Sequence, residues 1–409
     1  MPVEITFIRH AQTTGNAAGR WQGHTNSRLS AVGEAQVQRL AERFAGSEFD
    51  VVVASDLQRT LDTAAALGHA IEPDPRWREP FFGKWEDRTT GEIMAEDPDL
   101  VAALFAGENI AAPGGGELMS DVVERTRAAL NELIERVGDG KVAIVSHGMA
   151  LLMLIATLLR TRRPTPLRLL GNTSTATAVF DRSQFSLRVY NDDTHLGHTA
   201  LPHFGSSPDD TELLLIRHGQ TVANSAGVWQ GHTDGVLNDE GRRQATLLGK
   251  TVPALDALYA SPLVRATDTA QAIAEVQSLG IELDAGLKEI GFGAWEGMSP
   301  ADIEIAYPDD YQSFRQGVDL RRGGNGETFA EVQRRMVDSL GSIVAANPGS
   351  TVGVVSHGGA TRAYVTEILG IPPADRRRIG GMGNTHYGRL AFTGRGPTVV
   401  SWNLAPHLS

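Results

Sequence analysis

The chain has 409 residues, enough for two or three domains that each bury a core. It is 41% hydrophobic and 21% charged with a net charge of −12, the profile of a globular protein and not of a nucleic-acid binder, which needs a basic surface. There is no cysteine, which excludes disulfides, thiolate metal sites and a cysteine nucleophile and fits a cytoplasmic protein. No apolar run reaches bilayer length, and the chain opens directly on the strand-like run Val3–Ile8, so neither a membrane span nor a signal peptide is expected.

In chain order, Ile5–Arg9 predicts a strand, Ala31–Phe44 a helix, Val51–Ser55 a strand and Asp56–Leu67 a helix. Beyond the mixed stretch Arg88–Ala112 follow a long helix over Glu117–Val137, a strand over Val142–Ser146 and a helix over Met149–Arg160. Asn191–Asp210 is rich in Asp, His, Pro, Gly and Ser and has no periodicity, so it reads as a linker. Strands return at Leu213–Arg217, Ala257–Ser261 and Val352–Ser356. This alternation predicts an α/β class with two tandem three-layer α/β/α sandwiches and mostly parallel central sheets. The first domain is expected over 1–190, the linker over 191–210 and the second domain over 211–409.

The two halves repeat each other. Arg9-His10 returns as Arg217-His218, 208 positions later, and Trp21 through Thr25 as Trp229 through Thr233. Ser55, Arg59 and Thr63 return as Ser261, Arg265 and Thr269, with the offset now 206. Glu79, Trp85 and Glu86 return as Glu289, Trp295 and Glu296, and Ser146-His147 as Ser356-His357, at 210. A drift of a few residues is how loops change around a fixed scaffold, and a period near 200 is domain duplication, not a solenoid.

In each half, polar residues follow the predicted strand ends: Arg9-His10, Ser55 through Arg59, and Ser146-His147. Ligands of open α/β sheets bind at that end. Two arginines and two histidines gathered there suit a tetrahedral dianion, and Arg59 and Arg265 in the first turn of a helix add free backbone N–H groups. A neutral imidazole can attack phosphorus, the arginines and the other histidine can stabilise the transferring oxygens, and a carboxylic acid can protonate the leaving alkoxide. Glu79 and Glu289 are the candidate acids, with Glu86 and Glu296 as rivals. The scheme calls for no metal and no cofactor.

Arg-His-Gly-x-Thr followed by Asn, then Ser-Pro-Leu-x-Arg-Ala, Glu-x-x-x-Gly-x-Trp-Glu-Gly and Ser-His-Gly-Gly resemble the histidine phosphatase superfamily, also called phosphoglycerate mutase-like. The resemblance spans the chain twice, apart from the linker. It implies a phosphohistidine on His10 and on His218. It implies phosphate binding by Arg9, Arg59 and His147 in one site and by Arg217, Arg265 and His357 in the other, with Asn16 and Asn224 helping to hold the phosphoryl group. It implies Glu79 and Glu289 as proton donors.

The second half keeps the family pattern almost throughout. The first departs from it: Ala11 stands for Gly, Asp56 for Pro, Met149 for Gly, Leu152 where the second half has Arg362, and Pro80 follows Glu79. None of these removes a phosphate ligand, but Asp56 is expected to bring negative charge near the anion pocket. The Gly-rich stretches from Pro113 and Gly323 lack the ending of a P-loop and read as turns before a long helix, with Glu117 and Glu327 in its first turn. His195, His198 and His203 read as loop residues, not metal ligands. Trp85 and Trp295 read as packing residues, while Trp21 and Trp229 could pack or stack on substrate. Arg376 through Arg378 borders the second pocket or faces solvent. Arg88–Ala112 and Met298–Arg322 are the least alike parts of the halves and are expected to cover the pockets.

The expected function is metal-independent hydrolysis of small phosphorylated metabolites at two sites. Phosphoglycerate mutase-type transfer in one half, or one half as a weak or inactive ligand-binding copy, are the alternatives. The expected partner is a small phosphorylated substrate, with no nucleic acid and no membrane; a homo-oligomer is left open.

Overall fold

The computed structural model describes residues 2–162, 164–181, 184–197 and 210–408. The chain divides into two compact units, Met1–Leu201 and Pro202–Ser409.

In the first unit β1 (Val3–Arg9), β2 (Val51–Ala54), β3 (Ile71–Pro73) and β4 (Gly140–Ser146) lie parallel in the order β3-β2-β4-β1. β5 (Thr175–Asp181) pairs antiparallel with β1, and β6 (Gln184–Asp192) antiparallel with β5. Val142, Ala143, Ile144 and Val145 are all at most 1% exposed, so successive side chains are buried on opposite faces of β4 and both faces must be covered. One face packs on Leu40 of the helix Ala31–Arg43 and Ala64 of the helix Gln58–Ala64. The helices Met119–Val137 and Gly148–Leu159 form a second packed pair.

The second unit repeats this plan. β7 (Thr211–Arg217), β8 (Ala257–Ala260), β9 (Glu282–Leu283) and β10 (Thr351–Ser356) are parallel in the order β9-β8-β10-β7. β11 (Tyr387–Thr393) pairs antiparallel with β7, and β12 (Gly396–Leu404) with β11. Helices Asp239–Thr251 and Val264–Gln277 pack together, as do Phe329–Ala346 and Gly358–Leu369.

Several boundaries differ from the sequence expectation. The helix predicted from Asp56 starts at Gln58, because Leu57 is extended, and it tightens to a 3-10 turn over Ala65–Leu67. The long helices start at Met119 and Phe329, so Glu117 and Glu327 precede them; the acidic residue in the second helix's first turn is Glu331, in a capping box with Thr328. Asn191 and Asp192, placed in the linker by composition, end β6, and Thr194–Leu196 is a 3-10 turn. His195 there contacts Thr173 and Arg43; His198, His203 and the rest of that segment up to 209 lie outside the described residues. The segments Arg88–Ala112 and Met298–Arg322, unlike in sequence, share one backbone plan: helices Thr90–Glu96 and Pro98–Phe105 in one unit, Pro300–Ala306 and Pro308–Arg315 in the other. Among the described residues no helix is long and apolar enough to cross a membrane.

Candidate active sites

Strand register builds each site. Arg9 at the end of β1 is paired with Ser146 at the end of β4, and the His10 N–H donates to the Ser146 carbonyl at 2.9 Å. The next residues, His10 and His147, therefore leave the sheet side by side, with ring centroids 5.1 Å apart. β2 ends beside them: the Ser55 N–H bonds Val145, and Ser55 Oγ lies 3.0 Å from His147 Nε2. The same register pairs Arg217 with Ser356 and sets His218 and His357 5.0 Å apart.

Hydrogen bonds select the tautomers. His10 Nδ1 lies 2.8 Å from the Ala11 carbonyl and His218 Nδ1 2.7 Å from the Gly219 carbonyl. A carbonyl can only accept, so Nδ1 carries the proton and Nε2 the lone pair. His147 and His357 have the other tautomer, since each Nδ1 accepts from the Arg59 or Arg265 Nε–H, at 3.3 and 3.2 Å. Burial, reinforced by the neighbouring arginines, holds all four imidazoles well below the ordinary imidazole value, so they are neutral at pH 7.

Arg59 and Arg265 are each 1% exposed. The Arg59 guanidinium donates to the Gly23 and Thr25 carbonyls at 2.7 and 3.0 Å, and burial pushes its pKa down to about 10, which leaves it cationic. Arg265 is held alike by Gly231 and Thr233. Arg9 and Arg217 donate through one arm to the Leu170 and Met382 carbonyls. Their Nε–H groups are buried and, among the described residues, have no partner. A side chain on Gly148 would put its Cβ 3.2 Å from Arg9 Nε, so glycine keeps that donor accessible. Asn16 Oδ1 is occupied by the Thr13 N–H and Asn172 Nδ2, and Asn224 Oδ1 by Thr221 and Asn384, which leaves each Nδ2 end to donate to a ligand.

Glu79 accepts the Met149 and Ala150 N–H groups, at 2.8 and 3.3 Å, at the start of the helix that follows His147. Burial raises its carboxyl pKa, against the opposing effect of those N–H groups and of Arg9 and Arg59. Glu289 accepts from Ile290, Gly359 and Ala360. The rivals Glu86 and Glu296 are struts. Glu86 accepts the His24 and Thr25 N–H groups and so braces the loop whose carbonyls hold Arg59; Glu296 does the same at His232 and Thr233.

The structure corrects the reading of Asp56. Its carboxylate forms a two-armed pair with Arg78, both contacts 2.6 Å, so its charge is compensated. Trp21 and Trp229 pack: Trp21 lies against Phe82, Trp85 and Phe105, and Trp229 against Phe292, Trp295 and Phe314. Other side chains were visible in the sequence only as repeated letters. Thr63 and Thr269 accept the N–H of the residue after His10 or His218, both at 2.9 Å. Arg125 and Arg335 pair with Glu117 and Glu327 and gather the backbone carbonyls leading into Glu79 and Glu289. Their recurrence as Glu-x7-Arg in both halves was the available signal. Among the described residues no group of three or more His, Cys, Asp or Glu is placed to hold a metal ion.

The pattern that defines the histidine phosphatase superfamily (branch 1) matches residues 5–193 and again 213–405. A probable phosphoglycerate mutase GpmB of Erwinia tasmaniensis is 36% identical over 161 residues, covering 38% of this chain and 75% of that protein. Phosphoserine phosphatase 1 of Hydrogenobacter thermophilus is 30% identical over 201 residues, covering 48% and 94%. Glucosyl-3-phosphoglycerate phosphatase of Mycolicibacterium vanbaalenii is 33% identical over 190 residues, covering 44% and 83%. With the family pattern present in each of two α/β units, the chain belongs to the histidine phosphatase superfamily and is an enzyme of that phosphoglycerate mutase-like kind.

Proposed function

We propose that the protein hydrolyses small phosphomonoesters at two sites, through a phosphohistidine on His10 in one unit and on His218 in the other. One observation carries this reading and occurs in both units. A buried neutral histidine has its Nδ1–H held by a carbonyl, and beside it lies an arginine whose buried Nε–H lacks a protein partner among the described residues. Buried donors are seldom left unmatched, and a phosphoryl oxygen would satisfy these.

The chemistry follows from the atoms present. His10 Nε2 attacks phosphorus, the N–P bond forms and the P–O ester bond breaks. Arg9, Arg59 and the Asn16 amide hold the equatorial oxygens, and His147 stands on the same anion. Glu79, whose hold on its proton burial strengthens, gives that proton to the departing alkoxide. Its carboxylate then takes a proton from water, whose oxygen attacks phosphorus and releases His10 and inorganic phosphate. His218, Arg217, Arg265, Asn224, His357 and Glu289 have the same roles in the second unit. No step uses a metal.

Brief labelling with a radioactive phosphomonoester, counting only the base-stable, acid-labile adduct, tests this. Intact protein should carry label on His10 and His218, His10→Ala only on the second unit, His218→Ala only on the first, and the double variant none. Label persisting in the double variant overturns the assignment. Each replacement should cost its own unit about 10⁴-fold or more in kcat.

A further inference from the structure

The two sites share their phosphate pockets but differ in what stands next to them. In the second unit Arg362 lies one turn into the helix Gly358–Leu369, on the face whose Gly359 N–H holds Glu289. Its Nε is buried, and among the described residues its guanidinium donates to nothing. Its charge is felt at Arg217 of the phosphate pocket and at Arg322 and Arg376, so it lies near both that pocket and a further group of cations.

That group surrounds Phe314 of the helix Pro308–Arg315. The guanidinium carbons of Arg376, Arg377 and Arg322 lie 5.0, 5.6 and 5.9 Å from its ring centroid. Arg376 is tied to the Phe314, Gly317 and Pro373 carbonyls, and Arg322 to the Glu327 carbonyl with Asp319 3.7 Å away. Arg377, like Arg362, makes no side-chain hydrogen bond among the described residues. Four cations thus face two carboxylates outside the catalytic set, Asp319 and Glu327, of which Glu327 is already paired with Arg335, and two of the four have their donors unused. Like charges at this spacing cost stability unless an anion joins them.

Among the described residues the first unit shows no such group at the equivalent positions. Leu152 stands for Arg362 and Ala112 for Arg322, both at most 8% exposed. Pro164-Thr165-Pro166 precedes Leu167 where Arg376 through Arg378 precedes Ile379. Met149 and Met153 pack instead into an apolar cluster with Trp21, Phe82 and Trp85.

The geometry points to a second-anion subsite in the second unit: Arg362 and Arg377 bind a carboxylate or second phosphate on the body of the phosphomonoester, while the first unit takes esters whose body is uncharged. This rests on the phosphatase reading above and names the substrate class of each site.

Two esters that differ by one carboxylate, 3-phosphoglycerate and glycerol 3-phosphate, test it on the full chain, with p-nitrophenyl phosphate as a common reference. Selectivity is the kcat/KM for the carboxylate-bearing ester divided by that for glycerol 3-phosphate. With the first site silenced by His10→Ala, this selectivity should exceed that of the His218→Ala protein by about 10- to 100-fold. Adding Arg362→Leu or, separately, Arg377→Ala to His10→Ala should collapse it, chiefly by raising KM for the carboxylate-bearing ester. Leucine is already accommodated at the equivalent position of the first unit, and Arg377 is partly exposed, so the two variants share no common route to misfolding. Retained turnover of p-nitrophenyl phosphate checks that each is folded. Equal selectivity in the two silenced proteins, or selectivity unmoved by both arginine variants, overturns the subsite. Failure of both silenced proteins to hydrolyse any of the three esters would instead overturn the phosphatase reading.

Discussion

The two units hold the same reactive core in different surroundings. Each has a histidine pair about 5 Å apart, an arginine fixed by two carbonyls, and a carboxylate seated on the first N–H groups of a helix. The differences begin one residue further out. Pro80 has no N–H to give Glu79, whereas Ile290 donates to Glu289 at 2.8 Å. Met149 replaces Gly359, where a Cβ would come 2.5 Å from Glu289 Oε1. Leu104 is buried in an apolar cluster, whereas Phe314 at the equivalent position is flanked by three guanidinium groups. On the proposed mechanism, duplication has kept the atoms that meet phosphorus and released the atoms that meet the rest of the substrate. The reason is geometric: the transferred group is the same for every ester, while the leaving group is not.

Three further experiments sharpen or break this comparison. The largest effect is expected at the carboxylates. Glu79→Gln and Glu289→Gln should each lower kcat/KM of their own unit, which reports the step that expels the alkoxide, by about 10²- to 10⁴-fold on alkyl phosphates and much less on p-nitrophenyl phosphate, whose leaving group needs no proton; kcat should fall on both, because the same carboxylate activates water afterwards. Equal losses of kcat/KM on both ester types would mean that these residues do not protonate the leaving group. Because burial raises the Glu79 carboxyl, the proton-donating form persists to higher pH than for an ordinary carboxylic acid, and first-unit activity in His218→Ala protein should fall as pH rises through that raised value.

A smaller effect is expected from Arg78→Ala. It would free the Asp56 carboxylate beside the first pocket, while the second unit has Pro262 there. Vanadate inhibition of the first unit should weaken by about 3- to 10-fold, as expected for a partly screened charge, with the second unit unchanged. Unchanged inhibition in both units would remove Asp56 as a source of difference.

The smallest expected difference is in stability against acid. His10, His147, His218 and His357 have folded-state values well below the unfolded value of about 6.5, so their stabilising contribution is complete above that pH and is lost as pH falls below it. Glu79 acts in the opposite sense: its raised folded value favours the folded state at low pH and that contribution is lost as pH rises through it. The histidines outnumber it, so the thermal midpoint should fall between pH 7 and pH 5, and vanadate should slow the fall by occupying both pockets. A midpoint that rises over that interval would show that the histidines are not buried neutral in solution.

Much of the site was legible in the residues because its parts stand where strands end. Apolar runs that stop at Arg-His or Ser-His mark both the strand and its functional edge, and the repeat supported each in the other half. The compensation of the Asp56 charge and the roles of Trp21 and Trp229 were not legible, since their partners Arg78, Phe82 and Phe105 are brought to them by loops whose course has no period. Helix starts shifted for a similar reason: Leu57 and Glu117 carry no local signal against helix, and their extended or pre-helical conformations follow from the carbonyls and N–H groups they meet.

The sequence by itself determined the duplication, the α/β alternation and the residues at the strand ends, because apolar periodicity and repeated polar letters are properties of the chain alone. Only the tertiary structure decided which imidazole nitrogen carries the proton, which glutamate sits on the helix N-terminus and which arginines lack a partner. Those are matters of a few tenths of an ångström, most of them between residues far apart in the chain, fixed by strand register and packing and by nothing written locally in the sequence.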